Sequence, residues 1–437
     1  MTRSVCVAWS LVACGWLVAA EPASEPSRLK GYVGGPYKLL VRDFTGDGRS
    51  DVLVGYRNLG ALHLAVGDGQ GGLSGRTGGV LMNLARREHG QAIDSKCWSA
   101  PHVHNLHAAD INADGRLDVV VGLGGLSTVK DGRVVVALGG RGGHFRVVVE
   151  YLVPSEAKGV RFADLDRDGQ MDLLYTARGS GYKDDLTVGE LHIRPGQGGG
   201  RFGNAVVLPA GRSAYAIDTG DLDEDGFLDV VIPNEHDDCA TYCLNPGRGC
   251  FSPVGTETAR RWSVQVLRAT PIPGKRSHAV NDARIADING DGHLDVVTAN
   301  LGTSTISIFN GRGDGNFGAD RQLDAGKNGA FLGLGDLDGD KDVDLVITHW
   351  TEAFVSVFLN RGNGSFVPRV DLPSGLGSYG VEVADLDRDG HLDLVSANYR
   401  DNSISILRGR GDGTFAPTVT LPRGLKVTGG RLVPYTP

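Results

Sequence analysis

The chain has 437 residues, 41% of them hydrophobic and 22% charged, with 66 glycines and a formal net charge of −8. Beyond the first twenty residues no stretch is long and apolar enough to cross a bilayer, which takes about 20 apolar residues in a helix. The acidic balance supports no nucleic-acid argument, because nearly half of the acidic side chains stand in one repeated motif.

In chain order, Arg3 precedes an apolar run over 5–20 that ends Val18-Ala19-Ala20 before Glu21. This reads as a secretory signal peptide cut after Ala20, followed by a Pro/Ser/Glu linker over 21–34. Leu11-Val12-Ala13-Cys14 is similar to a lipobox, so anchoring through Cys14 is the alternative, against which the apolar stretch 16–20 stands. The remainder, 35–437, reads as one repeat domain.

The motif is Asp-x-(Asp/Asn/Thr)-x-Asp-(Gly)-x-x-Asp, and it occurs seven times, with Lys341 in place of the glycine in the sixth copy. The first position is Asp43, Asp110, Asp164, Asp221, Asp287, Asp336 and Asp385. The third is Thr45, Asn112, Asp166, Asp223, Asn289, Asp338 and Asp387. The fifth is Asp47, Asp114, Asp168, Asp225, Asp291, Asp340 and Asp389, and the ninth is Asp51, Asp118, Asp172, Asp229, Asp295, Asp344 and Asp393. Position two is always apolar, and positions ten and eleven are always a Val/Leu pair, as in Val119-Val120. Alternate residues of a tight loop can aim oxygens at one centre, and a hard cation such as Ca²⁺ takes six to eight oxygens at about 2.3–2.6 Å. An EF-hand opens in the same way but needs Glu at position twelve and flanking helices. Here position twelve is Val54, Val121, Tyr175, Ile232, Thr298, Ile347 or Ser396, within apolar runs of β type, so the loop joins two strands. Up to seven Ca²⁺ ions are expected, and full loading would move the formal charge from −8 to +6. Thr45 weakens the first site, and Lys341 in place of Gly makes the sixth less secure.

Between the loops the text repeats as well. Val-Val-Thr-Ala-Asn after Asp295 and Leu-Val-Ser-Ala-Asn after Asp393 are each followed by an apolar run and a Gly-x-Gly-x-Gly-x-Phe turn, ending at Phe317 and Phe415. Each unit thus reads as four short strands, and four-stranded units at a constant period are the blades of a propeller. The fold expected is all-β, a seven-bladed β-propeller with the metal loops between strands 1 and 2 of each blade.

The phrase Ala384-Asp-Leu-Asp-Arg-Asp-Gly-His-Leu-Asp-Leu-Val395 with its downstream glycine turn resembles the FG-GAP/VCBS repeat, found in the integrin α-subunit propeller and in many secreted bacterial proteins. The resemblance runs over roughly 35–430 and implies seven blades with calcium in hairpin loops; it implies no shared ligand. Ring closure in that family often mixes strands of both termini, so the tail 422–437 could supply a closing strand beside the first blade.

Loop spacings of 67, 54, 57, 66, 49 and 49 residues place extra chain after the first and fourth loops, over 75–104 and 234–281. Of the four cysteines beyond the leader, Cys243 and Cys250 flank a turn and could pair across a hairpin, while Cys239 and Cys243 on one strand stand too far apart. Chain direction puts the Asp loops and glycine turns on one face. The 2–3 hairpins and interblade connections, the least repetitive parts, lie on the other, where binding residues concentrate. The ligand candidates on that face are His104, Tyr215, Asn234, His236, His349, Trp350 and Tyr399. Three residues before each first Asp stand Leu40, His107, Arg161, Asp218, Arg284, Gly333 and Glu382, which should ring the central channel. Two readings follow. One is a ligand-binding or adhesion module for a glycan or extracellular protein, acting as a monomer. The other is a polysaccharide-lyase-like enzyme using His107, Arg161 and Arg284 at the channel mouth. Convergence of those groups in one pocket favours the enzyme; pairing of the arginines with Asp218 and Glu382 favours the module.

Overall fold

The computed structural model describes residues 32–57, 60–83, 102–124, 132–179, 188–248, 250–251, 261–275, 277–422, 425–428 and 431–434. The expected leader, the linker up to residue 31, Cys14, Cys97 and much of the first insert lie outside the described residues. Seven antiparallel sheets of four strands each follow one another along the chain, over 36–83, 102–153, 157–211, 218–268, 280–324, 329–373 and 378–422. In the first, the strands are Pro36–Arg42, Asp51–Tyr56, Ala61–Gly67 and Leu73–Asn83, paired in that order. The only helix among the described residues is one turn of 3-10 helix, Arg141–Gly143. This is the seven-bladed propeller that the repeat implies.

The repeat pattern explains the packing. The second strand of every blade is buried along its whole length, as in Asp51–Tyr56 and Asp393–Asn398, because it is sandwiched between two neighbouring blades. Successive side chains on a strand face opposite ways, so the Val/Leu pair sends one residue to each neighbour. Val52 packs toward blade 7 and Leu53 toward blade 2. Leu345 likewise faces blade 5 and Val346 blade 7. The apolar residue at loop position two, such as Phe44, Ile111 or Leu165, joins the core shared with the next blade. The interior is therefore seven interblade cores in which fully buried Val, Leu and Ile each contribute about 1.5–3 kcal/mol. An eighth cluster of aromatic residues lies on the axis.

Ring closure differs from the expectation. Blades 1 and 7 are each built from consecutive strands, and they meet through side chains, with Leu39 and Val54 against Leu386 and Val395. The tail strands Leu425–Thr428 and Arg431–Pro434 pair instead with Tyr32–Gly34 in a separate three-stranded sheet. All four strands of blade 1 are already provided by consecutive segments of its own chain, so the tail supplies none of them.

Candidate functional site

The Asp loops are organised by their ninth residue. In all seven copies one oxygen of this carboxylate accepts the N–H of loop position two, and the other accepts the first N–H of the glycine-rich turn. For Asp229 the donors are Leu222 and Asn245, both at 2.7 Å. Burial pushes these carboxyls upward, Asp118, Asp344 and Asp393 to about 6 and Asp172 and Asp229 to about 7. The sequence marks the ninth residue as one of the expected metal ligands; the structure adds that it staples two loops of the same blade. The first carboxylate accepts the position-six N–H, as Asp164 does from Gly169, and the fifth accepts the position-seven N–H, as Asp168 does from Gln170. Position six lies at positive φ, including Lys341 at 77°, the one copy without glycine.

Four of the loops bring three carboxylates together, with ligand oxygens within 4.8 Å of one another: Asp164, Asp166 and Asp172; Asp221, Asp223 and Asp225; Asp336, Asp338 and Asp344; Asp385, Asp387 and Asp393. These are the four loops with Asp at position three, and the Lys341 loop is among them. In the second and fifth loops the position-three amide turns inward, Asn112 Nδ2 donating to Asp114 and Asn289 Nδ2 to Asp291. In the first, Thr45 Oγ1 donates weakly to Asp43 at 3.5 Å. The fit to a hard cation rests on oxygens that nothing else satisfies: Asp166 Oδ1, Asp221 Oδ1 and Asp387 Oδ1 are buried without a hydrogen-bond partner. Bare buried carboxylate oxygens beside two more carboxylates suit an oxygen-seeking ion such as Ca²⁺. Such an ion would supply the positive charge that offsets their mutual repulsion.

On the axis the structure places two layers. Three residues before the first Asp, Arg161 pairs with Asp218 at 2.9 Å and donates to Thr219, while Arg284 pairs with Asp282 at 3.2 Å. Asp218 also accepts the Ile285 N–H, and Glu382 lies 3.6 Å from Arg42. His107 accepts the Phe162 N–H through Nδ1, and burial together with Arg161 holds it neutral, down to about 3. His107 and Arg161 are thus engaged by the next blade, and Arg284 by Asp282 of its own strand.

Five and six residues before the first Asp, a second, largely aromatic layer lies on the axis. Tyr37 and Tyr215 come from blades across the ring, and their hydroxyls lie 3.1 Å apart. Tyr37 stacks on Tyr379 at 4.0 Å, and Phe331 lies 4.8 Å from Tyr379. Lys38 stands 3.6 Å over the Phe331 ring and Lys158 4.1 Å over Tyr215; burial lowers both ammonium groups to about 8. Glu156 is held at about 2: burial opposes its charge, but Lys158, His104 and Arg178 outweigh that. His104 is 4% exposed, and neither ring nitrogen has a hydrogen-bond partner.

The remaining candidates divide. Trp350 and Tyr399 are half-buried and pack on the aromatic plug, and His236 is half-buried on its hairpin. Asn234 and His349, expected on the loop surface, are fully buried. Asn234 donates to Thr241 and His349 bonds Ser356 and the Lys327 carbonyl, so both fasten hairpins from inside. Cys243 and Cys250 do not form the expected disulfide: both are buried free thiols, as is Cys239. Cys243 sits in the core between blades 3 and 4 near Asp229, whereas Cys250 lies by Asp166 and Asp172 of the third loop. Tyr37, Lys38, Lys158 and Asp282 were missed; the signal was a register, five and six residues before each first Asp, which only the ring makes meaningful.

No curated protein matches the chain. Among solved structures, a putative 6-phosphogluconolactonase from Bacteroides uniformis is similar at 11% identity and a TM-score of 0.53, covering 90% of this chain and 98% of that one. A functionally unknown protein from Desulfotomaculum acetoxidans gives 12% and 0.50, with 83% and 93% covered. An Agrocybe aegerita lectin that recognises non-reducing terminal N-acetylglucosamine gives 17% and 0.39, with 89% and 80% covered. At these identities the first two likenesses speak to the fold alone, and the third carries no argument. The FG-GAP-like repeat matches residues 43–121, 110–175, 287–347, 336–396 and 385–434, more than half of the chain. Together with the seven stapled Asp loops, this makes the chain a member of the FG-GAP-like repeat family.

Proposed function

We propose that the protein is a secreted, Ca²⁺-binding propeller that acts as a binding or adhesion module, taking a glycan or an extracellular protein on the face opposite the metal loops. The observation that carries this reading is the state of the axial cations. An acid–base catalyst needs a proton-transfer pair and a charge-stabilising group free to meet one substrate position. Arg161 and Arg284 are held by Asp218 and Asp282, and His107 already accepts a backbone N–H. A binding module has no such requirement, and the hairpins of several blades offer aromatic and charged groups to a partner. In this reading Ca²⁺ in the Asp loops stiffens the scaffold, and the leader over 1–20 sends the chain to a compartment where millimolar Ca²⁺ fills weak sites. The test is a glycan array in Ca²⁺ beside an absorbance assay for unsaturated uronates released from acidic polysaccharides. Saturable binding without turnover supports the module. Turnover that is lost on His107→Ala overturns it in favour of the lyase-like enzyme.

A further inference from the structure

Each blade ends its second strand in a buried residue, and the next residue, the first of the 2–3 hairpin, turns toward the axis above the aromatic plug. In six blades this residue is Arg57, Arg178, Glu235, Leu301, Trp350 and Tyr399, all half-buried; in the second blade it lies outside the described residues. The ring they form has two halves. Leu301, Trp350 and Tyr399 pack on the plug and make an apolar, aromatic side. On the other side Arg178 pairs with Glu156 at 2.8 Å and lies 3.9 Å from Glu235, while Lys158 stands 3.7 Å from Glu156. Two cations and two carboxylates cancel there.

Arg57, at the seam between the halves, has no balancing carboxylate among the described residues. Its guanidinium lies between the rings of Tyr37 and Tyr399, at 5.4 and 5.2 Å. Its buried Nε has no hydrogen-bond partner, and no carboxylate among the described residues pairs with it. The adjoining His104, 6.3 Å from Tyr37 ring to ring, also has two buried nitrogens without partners. Across the aromatic half, Arg400 lies 5.8 Å over Trp350 and likewise has no carboxylate partner among the described residues.

We propose that this mouth binds an acidic sugar residue, with Arg57 taking the carboxylate through its planar fork and Trp350 and Tyr399 lying against the apolar faces of the ring. A guanidinium matches a carboxylate with two parallel N–H···O bonds, and aromatic walls favour a ligand that is apolar on its flat faces and charged at one edge. A neutral sugar leaves Arg57 unpaired, so the site discriminates by charge rather than by size. The inference rests on the binding-module reading and narrows its ligand to uronic acids.

The test uses the full chain in Ca²⁺, with trigalacturonate and its neutral counterpart, the galactose trimer, titrated by calorimetry. Expected is saturable binding of the acid, at least about tenfold weaker for the neutral sugar, which is about 1.4 kcal/mol. Arg57→Gln should lose that discrimination, and Arg57→Lys, which keeps the charge but not the planar fork, should keep only part of it. The lysine variant keeps a cation between the tyrosines, and its melting temperature reports whether the fold persists. Equal binding of acid and neutral sugar, or discrimination unchanged in a folded Arg57→Lys variant, overturns the acidic-sugar assignment and leaves the module reading standing. Absence of binding to every sugar while a protein partner binds also overturns it.

Discussion

Removing the ninth carboxylate of the fourth loop separates its stapling role from metal binding. Asp229 is fully buried, and its two oxygens satisfy the N–H groups of Leu222 and Asn245. The clustered carboxylates of that loop are Asp221, Asp223 and Asp225, so Asp229 is not among them. Asp229→Ala leaves two buried N–H donors without partners, at about 1–3 kcal/mol each, or roughly 2–6 kcal/mol together. With an unfolding entropy of about 2.1 cal per mol per K per residue over roughly 400 residues, that is a fall in Tm of roughly 2–7 °C. Differential scanning calorimetry with Ca²⁺ and with chelator measures it. The loss should be the same in both conditions, because the staple acts on backbone N–H groups. Asp393→Ala, whose carboxylate belongs to a cluster, should lose more in Ca²⁺ than in chelator. A loss below about 1 °C for Asp229→Ala, or one that disappears in chelator, refutes the staple.

Removing the metal should lower Tm, by about 2.7 kcal/mol for each site that is filled at a hundredfold excess over its dissociation constant. Titration of the metal-free chain with Ca²⁺ should show four tighter sites, and Asp387→Asn should remove one of them; seven equal sites would contradict the role given to position three. Acid should weaken the fold between pH 6.5 and 4. Burial and Arg57 lower His102 to about 4, so between those values the unfolded chain binds a proton that the folded chain refuses, and stability falls as pH falls. The contribution of His102 is about 3 kcal/mol by pH 4, and denaturant melts of His102→Gln should show a flatter pH profile than the parent; identical profiles exclude the mechanism. Burial pushes the Cys243 and Cys250 thiols up to about 12, so neither should be alkylated in the folded chain, and both should be alkylated in denaturant without reductant. A Cys243–Cys250 peptide in non-reducing mapping would show the disulfide instead.

Much of this molecule is local and periodic, and that part is legible in the amino-acid order. The Asp at positions one, three, five and nine, the Val/Leu pair and the glycine turn recur because each blade faces the same two neighbours, so the fold class, the blade count and the carboxylate loops follow from repetition. Position three even separates the loops that gather three carboxylates from those that do not, since a neutral side chain there bonds inward instead. What the ring brings together is not periodic. Tyr37 and Tyr215 are 178 residues apart and touch only because the inner strands converge on one axis. Arg161 looks free in the sequence, yet its nearest carboxylate, Asp218, is supplied by the next blade. Asn234 and His349 look like loop residues, but their hairpins turn those side chains inward to hydroxyls on the third strand. Sequence spacing sets what a residue does within its own blade; which charges are cancelled and which, like Arg57, are left over depends on residues that meet across the axis, and those distances exist only once the ring is closed.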